Sequence, residues 1–278
     1  MIKPFFLDTP DGRLFAVHHR PAEQQPVRGH ILCIPPFYEE MNRCRSIITL
    51  QSQSFARIGI GTLLIDLHGT GDSAGEHQDA QWSIWLRDIR IGAAWLADQP
   101  GGCLALWGIR LGVMLAAESL CTAAAPGAAL LAWQPVAEGQ SHFTQFLRIR
   151  LAAQMDRPHL PKDTTASLRG QLAAGQPVEV AGYAIHPELA MALDAARLRD
   201  RVPPSDTRVL WIEQAGSSAP NLSLASQKVV DAWCDAGLSL ETRLFEGMAF
   251  WQQHEGMVAP HLIATTTEGI RDIWVNRA

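Results

Sequence analysis

The sequence predicts a doubly wound, mostly parallel α/β sheet with a helical segment inserted into it. Three observations carry that prediction. Short apolar runs recur along the chain, as strands buried on both faces require. Amphipathic helical stretches alternate with them, the pattern of βαβ units. One interval, 137–202, holds no convincing strand run and reads as helices broken by Pro158, Pro161 and Gly175.

The elements follow in order. Lys3–Leu7 and Leu14–His18 flank Thr9-Pro10-Asp11-Gly12, whose Asp-Gly is a hairpin turn dipeptide. The buried runs are His30–Ile34, Thr62–Asp66, Cys103–Trp107, Ala128–Trp133, Arg208–Ile212 and Glu241–Phe245. Helical patterns fill 44–58, 81–98, 110–124, 223–236 and 258–274. Within them Trp82, Trp85 and Trp95 sit at helical spacing and read as core. The insertion carries helices at Phe143–Ala153 and Pro187–Leu198, with Val178–Tyr183 as a short buried segment; the alternative is that Tyr183 points its hydroxyl into the cleft. This divides the chain into a core of 1–136 and 203–278 and a helical cap of 137–202.

Composition narrows the function. The chain has 278 residues, 47% hydrophobic and 18% charged, which excludes a disordered or fibrous polymer. A net charge of −5 argues against a nucleic-acid partner or a polybasic membrane anchor. No apolar run reaches the roughly 18–20 residues of a membrane span. Met1–Asp8 lacks the apolar region of a signal peptide, so a cytoplasmic protein is expected. The five cysteines are scattered without a CxxC pair, which reads as reduced thiols, with Cys33 in the core. No Cys/His set has metal-ligand spacing, so neither metal nor cofactor is expected. His18, His19, His30, His77, His142, His159, His186 and His261 show no mutual spacing and read as surface residues.

The chemistry-bearing motif is Leu104-Ala105-Leu106-Trp107-Gly108-Ile109-Arg110-Leu111-Gly112, an apolar strand entering Gly-x-Arg-x-Gly and then an Ala-rich helix. That is the setting of a nucleophile elbow, G-x-S-x-G, with arginine at the centre. Asp66-Leu67-His68-Gly69-Thr70-Gly71-Asp72-Ser73 follows a buried strand, and Ile34-Pro35-Pro36-Phe37 follows another. In order and spacing the three segments resemble the α/β-hydrolase superfamily, which implies an α/β-hydrolase fold across essentially the whole chain. Pro35–Asn42, Gly108–Gly112, Gln145–Arg148, Val178–Tyr183, Phe250-Trp251-Gln252 and Glu255 narrow the resemblance to the exosortase A system-associated hydrolase 2 family. That resemblance implies a hydrolase or acyl-transfer enzyme in bacteria with the exosortase/PEP-CTERM and exopolysaccharide system. Exosortase-pathway proteins would be its partners.

The motif departs from a serine hydrolase at all three triad positions. Arg110 stays protonated and offers donors but no lone pair, so it cannot attack. The loop after the seventh strand, Glu213–Pro220, has no aspartate; Glu213 is the nearest carboxylate. After the eighth strand Trp251 takes the expected histidine slot, and His254 comes a few residues late. A cation at a helix N-terminus is disfavoured unless an anion joins it. Glu39, Glu40 and Glu255 are therefore the expected partners of Arg110, at least one of them bonded to it. Phe37, Trp133 and Trp251 are expected as apolar walls, and Asn42, His68 and Gln134 complete the candidate binding set.

Three functions follow. The first is a hydrolase or acyl-transfer enzyme with a rewired site, using Glu39 or Glu40 as base or a displaced nucleophile. Ser73 is the nearest serine on a site-facing loop, and His68 or His254 would be the base. The second is a catalytically silent binding protein for a small anionic ligand or a pathway partner. The third is a scaffold in which Arg110 and Glu39 or Glu40 form a structural ion pair. A small anionic or acyl substrate is expected under the first two.

Overall fold

The structure is a computed structural model that describes residues 1–155, 162–216, 221–253 and 258–274. It opens with a hairpin of β1 (Ile2–Thr9) and β2 (Gly12–His19). Strands and helices then alternate: β3 (Gly29–Ile34), α1 (Glu39–Ala56), β4 (Ile60–Ile65), α2 (Trp82–Ala97), β5 (Cys103–Ile109), α3 (Gly112–Cys121) and β6 (Ala129–Trp133). The chain next runs through α4 (Gly139–Met155), α5 (Thr165–Ala173), β7 (Val178–Val180), β8 (Tyr183–Ile185) and α6 (Pro187–Ala195). It closes with β9 (Val209–Gln214), α7 (Leu224–Asp235), β10 (Leu240–Phe245) and α8 (Pro260–Trp274).

Eight strands form one sheet in the order β1-β2-β4-β3-β5-β6-β9-β10. β2 pairs antiparallel with β1 and β4, and every later pairing is parallel. The parallel strands therefore end together, at Ile34, Ile109, Trp133 and Gln214, and the loops leaving those ends build the site.

Alternation along each strand divides the core in two. Leu32, Ile34, Leu106, Leu130 and Trp211 pack on one face with Trp85 and Ile89 of α2, Leu115 of α3 and Trp233 of α7. Ile31, Cys33, Trp107, Trp133 and Ile212 pack on the other with Ile47 and Phe55 of α1 and Leu262 of α8. The first cluster continues without a break into Phe143, Phe146, Val178, Ile185 and Leu189. The segment between β6 and β9 thus shares the apolar contacts of the sheet beneath it.

One expectation needed correction. α1 starts at Glu39, five residues before the predicted start at 44, so Glu39 and Glu40 are its first turn rather than loop residues. Two carboxylates in a first turn suit the positive end of a helix. Within the mostly helical insertion, the short segment Val178–Tyr183 opens an antiparallel hairpin of β7 and β8, with Val178 opposite Ile185 and Val180 opposite Tyr183. Its turn residues Ala181 and Gly182 have φ of 52° and 87°, the two positive values of a primed hairpin turn.

Candidate functional site

Arg110 stands between β5 and α3 with φ 55°. Its N–H donates to the Trp133 carbonyl at 2.9 Å, and its own carbonyl accepts from Val113 at 3.1 Å. The flanking glycines are required by contact. A Cβ on Gly108 would meet Val113 Cα at 2.5 Å, and one on Gly112 would meet the Ile34 carbonyl oxygen at 2.5 Å. The turn is an elbow in geometry, and it aims a guanidinium at the strand ends.

Strain concentrates around it. Among the described residues five non-glycines have positive φ, and three of them, Tyr38, Arg110 and Gln134, lie in the turns after β3, β5 and β6. Left-handed backbone costs about 1–2 kcal/mol per residue and persists where tertiary contacts enforce it. Gln134 shows such contacts: its Oε1 accepts the Gln214 N–H at 2.7 Å, and its carbonyl accepts Arg110 Nη1 at 3.3 Å.

The structure pairs Arg110 with Glu40. Nε–H is shared between the two carboxylate oxygens at 3.1 and 3.3 Å, and Nη2 lies 3.1 Å from Oε1. The guanidinium carbon also sits 4.7 Å from the centre of the Trp251 ring, a cation–π contact. Glu39 turns instead to Arg43 on the same helix, at 2.8 Å. Glu255 and His254 lie outside the described residues, as do His159, Ser217 and Ser218.

Burial sets the charges. It pushes the Glu40 carboxyl upward, and the Arg110 charge and hydrogen bond offset part of that rise. His142 of α4 stands beside the pair, with Nε2 4.0 Å from Glu40 Oε2 and no hydrogen-bond partner. Burial, reinforced by Arg110, pushes its pKa down to about 3, so the ring is neutral at physiological pH. His142 read as a surface residue from sequence, yet it is only 7% exposed. Its spacing with Gln145, Phe146 and Ile149 is i, i+3, i+4 and i+7, one helix face, and all four line the same cavity. That periodicity was the available signal.

Two cavities meet at Arg110. One, of about 110 Å³, is walled by Phe37, Phe146 and Trp251, with Glu39, Glu40, Arg43, His142, Gln145 and Gln252 as polar lining. No hydroxyl or thiol lines it among the described residues. The other, of about 310 Å³, runs past Gln134, Glu138, His142 and Glu213. Its two serines do not form a dyad with His142. Ser141 is the neighbour of His142 on α4, and adjacent helical residues do not face each other. Ser223 Oγ donates to Ser226 Oγ at 2.9 Å and caps α7.

Other candidates are placed elsewhere. Trp133 is fully buried against Trp107 and Phe250, its Nε1–H given to Thr266, so it belongs to the core and not to a cavity wall. The register causes this: Trp133 pairs with Ile109, and both side chains face α1 and α8. His68 lines a separate cavity of about 400 Å³ with Asp11, Asp79 and His186. Its N–H is held by Asp88 Oδ2, and its carbonyl by Trp85 Nε1–H, which anchor it away from Arg110. Asn42 donates to the Tyr183 hydroxyl at 3.3 Å, bridging α1 and β8 at the surface. Ser73 bonds the Asp66 carbonyl and accepts the Phe15 N–H, so it ties β2 to the loop rather than serving as a nucleophile. Glu213 accepts from Trp211 Nε1–H at 3.2 Å and the Ser223 N–H at 3.1 Å. His18, His19 and His30, also read as surface residues, are buried.

The Asp66–Ser73 motif is structural. Asp66 is gripped by Arg45 at 3.0 Å and takes the Asp72 N–H at 3.1 Å. A side chain on Gly71, whose φ is 55°, would run into the Asp66 carboxylate.

Among the described residues no helix is long and apolar enough to cross a membrane, and no cluster of His, Cys, Asp and Glu could hold a metal ion.

The same backbone recurs in solved structures across nearly the full length of the chain. It is similar to DcsB in complex with its substrate analogue, at 14% identity and TM-score 0.65, over 99% of this chain and 100% of the other. It is similar to Est1E from Butyrivibrio proteoclasticus with bound ferulic acid, at 16% identity and TM-score 0.65, over 98% of each. It is also similar to an α/β serine hydrolase without lid from Xanthomonas campestris, at 13% identity and TM-score 0.58, over 100% of this chain and 97% of the other. The chain therefore has the α/β-hydrolase fold. No protein-family model matches the sequence, and no curated protein does either.

Proposed function

We propose that the elbow cavity binds a small anionic molecule through Arg110 and that the triad chemistry of the fold has been given up. The supporting observation is the elbow itself: a permanently cationic side chain is held in the cavity wall by Glu40, the Gln134 carbonyl and the Trp251 ring. A guanidinium has five N–H donors. Nε–H and Nη2 face Glu40 and Nη1 faces Gln134, so donors remain for a ligand oxygen. Phe37, Phe146 and Trp251 would flank the apolar part of that ligand.

A thermal-shift screen with carboxylates, sugar acids and acyl phosphates tests this. A ligand at a hundred times its Kd adds about 2.7 kcal/mol of stability. The expected result is stabilisation by at least one anion, lost in Arg110→Gln. Anions that stabilise both forms equally would refute it.

One observation favours a second reading, a hydrolase or acyl-transfer enzyme of the exosortase-associated type acting on a pathway substrate. Glu40 is a desolvated carboxylate next to a neutral imidazole, an arrangement able to activate water. Turnover of p-nitrophenyl acyl esters that disappears in Glu40→Gln would favour this reading. Fluorophosphonate labelling lost in one Ser→Ala variant would instead identify that serine as a nucleophile.

A further inference from the structure

Resting on the anion-binding reading, the geometry points to Glu40 as a resident counter-ion. We infer that a monocarboxylate with an apolar tail displaces it from Arg110, and that Glu40 then takes up one proton from solvent, keeps it, and donates a hydrogen bond through that O–H to His142 Nε2.

The argument begins with charge. Arg110 is positive, Glu40 balances it, and His142 is neutral, so the centre of the site is neutral as it stands. The other groups facing Glu40 are Arg43 and Cys44 on its own helix. Arg43 is already neutralised by Glu39, and Cys44 is a fully buried thiol held protonated by burial. A carboxylate entering alone would add an uncompensated negative charge beside the rings of Phe37, Phe146 and Trp251. Two carboxylates facing one guanidinium cannot both remain ionised at low cost, and the more desolvated one takes the proton. Glu40 is that group, because burial already raises it.

The acceptor is in place. His142 Nε2 is buried, unpartnered and 4.0 Å from Glu40 Oε2. A small rotation of a protonated Glu40 would bring its O–H onto that nitrogen. This also accounts for an orphan polar atom that otherwise has no physical explanation. The apolar walls and the single proton together select the class. A monoanion with a short hydrocarbon tail leaves the site neutral, whereas a dianion would leave one charge uncovered.

Butyrate is the probe. It would be titrated calorimetrically into the full chain between about pH 6 and pH 8, in buffers of different ionisation enthalpy. The expected result is uptake of about one proton per butyrate and a Kd that tightens about tenfold per pH unit of acidification. Glu40→Gln should abolish both the proton uptake and the pH dependence, and bind butyrate more tightly than the parent at pH 8. Binding to the parent without proton uptake overturns the counter-ion role and leaves the anion site standing. Absence of butyrate binding by both proteins, with no other anion recognised in the thermal screen, overturns the anion site itself. If Glu40→Gln does not fold, the proton count on the parent decides.

Discussion

Two buried polar clusters sit at opposite ends of the parallel strands, and their difference separates a site from a piece of core. At the strand C-termini, Arg110, Glu40 and His142 line cavities, the first two carry opposite charges, and the turns at Tyr38, Arg110 and Gln134 beside them are strained. At the other end, His18 and His30 face each other with Nε2 and Nδ1 3.2 Å apart, beside the Trp95 ring. Neither of these histidines lines any of the cavities described above. Both are held neutral by burial, His18 with a pKa pushed down to about 4. Perturbed titration is thus common to both clusters, and only the first combines it with a cavity and a strained backbone, which makes it the candidate site.

The largest expected effect comes from breaking the charged cluster. Glu40→Ala leaves Arg110 buried without its carboxylate and should cost about 3 kcal/mol in urea unfolding. Replacing both partners, as Glu40→Leu with Arg110→Met, should recover most of that loss, because no charge is then stranded. A double variant as unstable as the single one would mean that the pair holds the fold together beyond its own charges.

The second cluster predicts a pH effect. His18 has its pKa lowered in the fold, so the unfolded chain binds more protons between pH 6.5 and about 4. Stability should fall on acidification through that window, by about 3 kcal/mol in all. Asp88 acts oppositely. Burial raises its pKa from 3.8 to about 7, so its contribution is complete below pH 3.8 and is lost as pH rises through 7. The two overlap and partly cancel. His142 and His30, also lowered by burial, add to the acid loss, so each variant is read against the parent: Asp88→Asn should lose more stability than the parent on acidification from pH 7 to 4, and His18→Phe should lose less. Thermal melts across the window in both variants check this, and parallel curves would show that neither group titrates as described.

The sequence made the sheet legible and the site only half so, for a physical reason. Five apolar runs mark β3, β4, β5, β6 and β9 because burial on both faces leaves few polar positions to confuse the pattern, whereas the edge strand β10 keeps only Leu240, Leu244 and Phe245 of it. The elbow was legible because Gly108 and Gly112 are demanded by local backbone contact. That a carboxylate among Glu39, Glu40 and Glu255 would join Arg110 followed from the cost of a buried charge, which holds without coordinates; that it is Glu40 did not. What could not be read depended on tertiary neighbours. The burial of His142 requires α4 to pack over Phe37, and the inward face of Trp133 requires its register against Ile109. Pro35-Pro36 masked the early start of α1 at Glu39, and three-residue strands such as β7 are too short to show a period.

The smallest predicted effect sharpens the contrast in backbone strain. Ala181, like Arg110, is a non-glycine in left-handed conformation, with φ 52°. It sits in the tip of the β7–β8 hairpin, exposed and lining none of these cavities. Its strain therefore has no chemical counterpart, and glycine there should relieve it. Ala181→Gly gives back some chain entropy in the unfolded state but removes the left-handed penalty, for a net gain of about 0.5–1 kcal/mol. Arg110→Gly relieves the same kind of strain yet strands Glu40, and should be destabilising. Chemical denaturation of the two variants gives the signs directly. A loss at Ala181 would mean that its conformation is held by contacts as demanding as those at the elbow, and the distinction between incidental and enforced strain would fail.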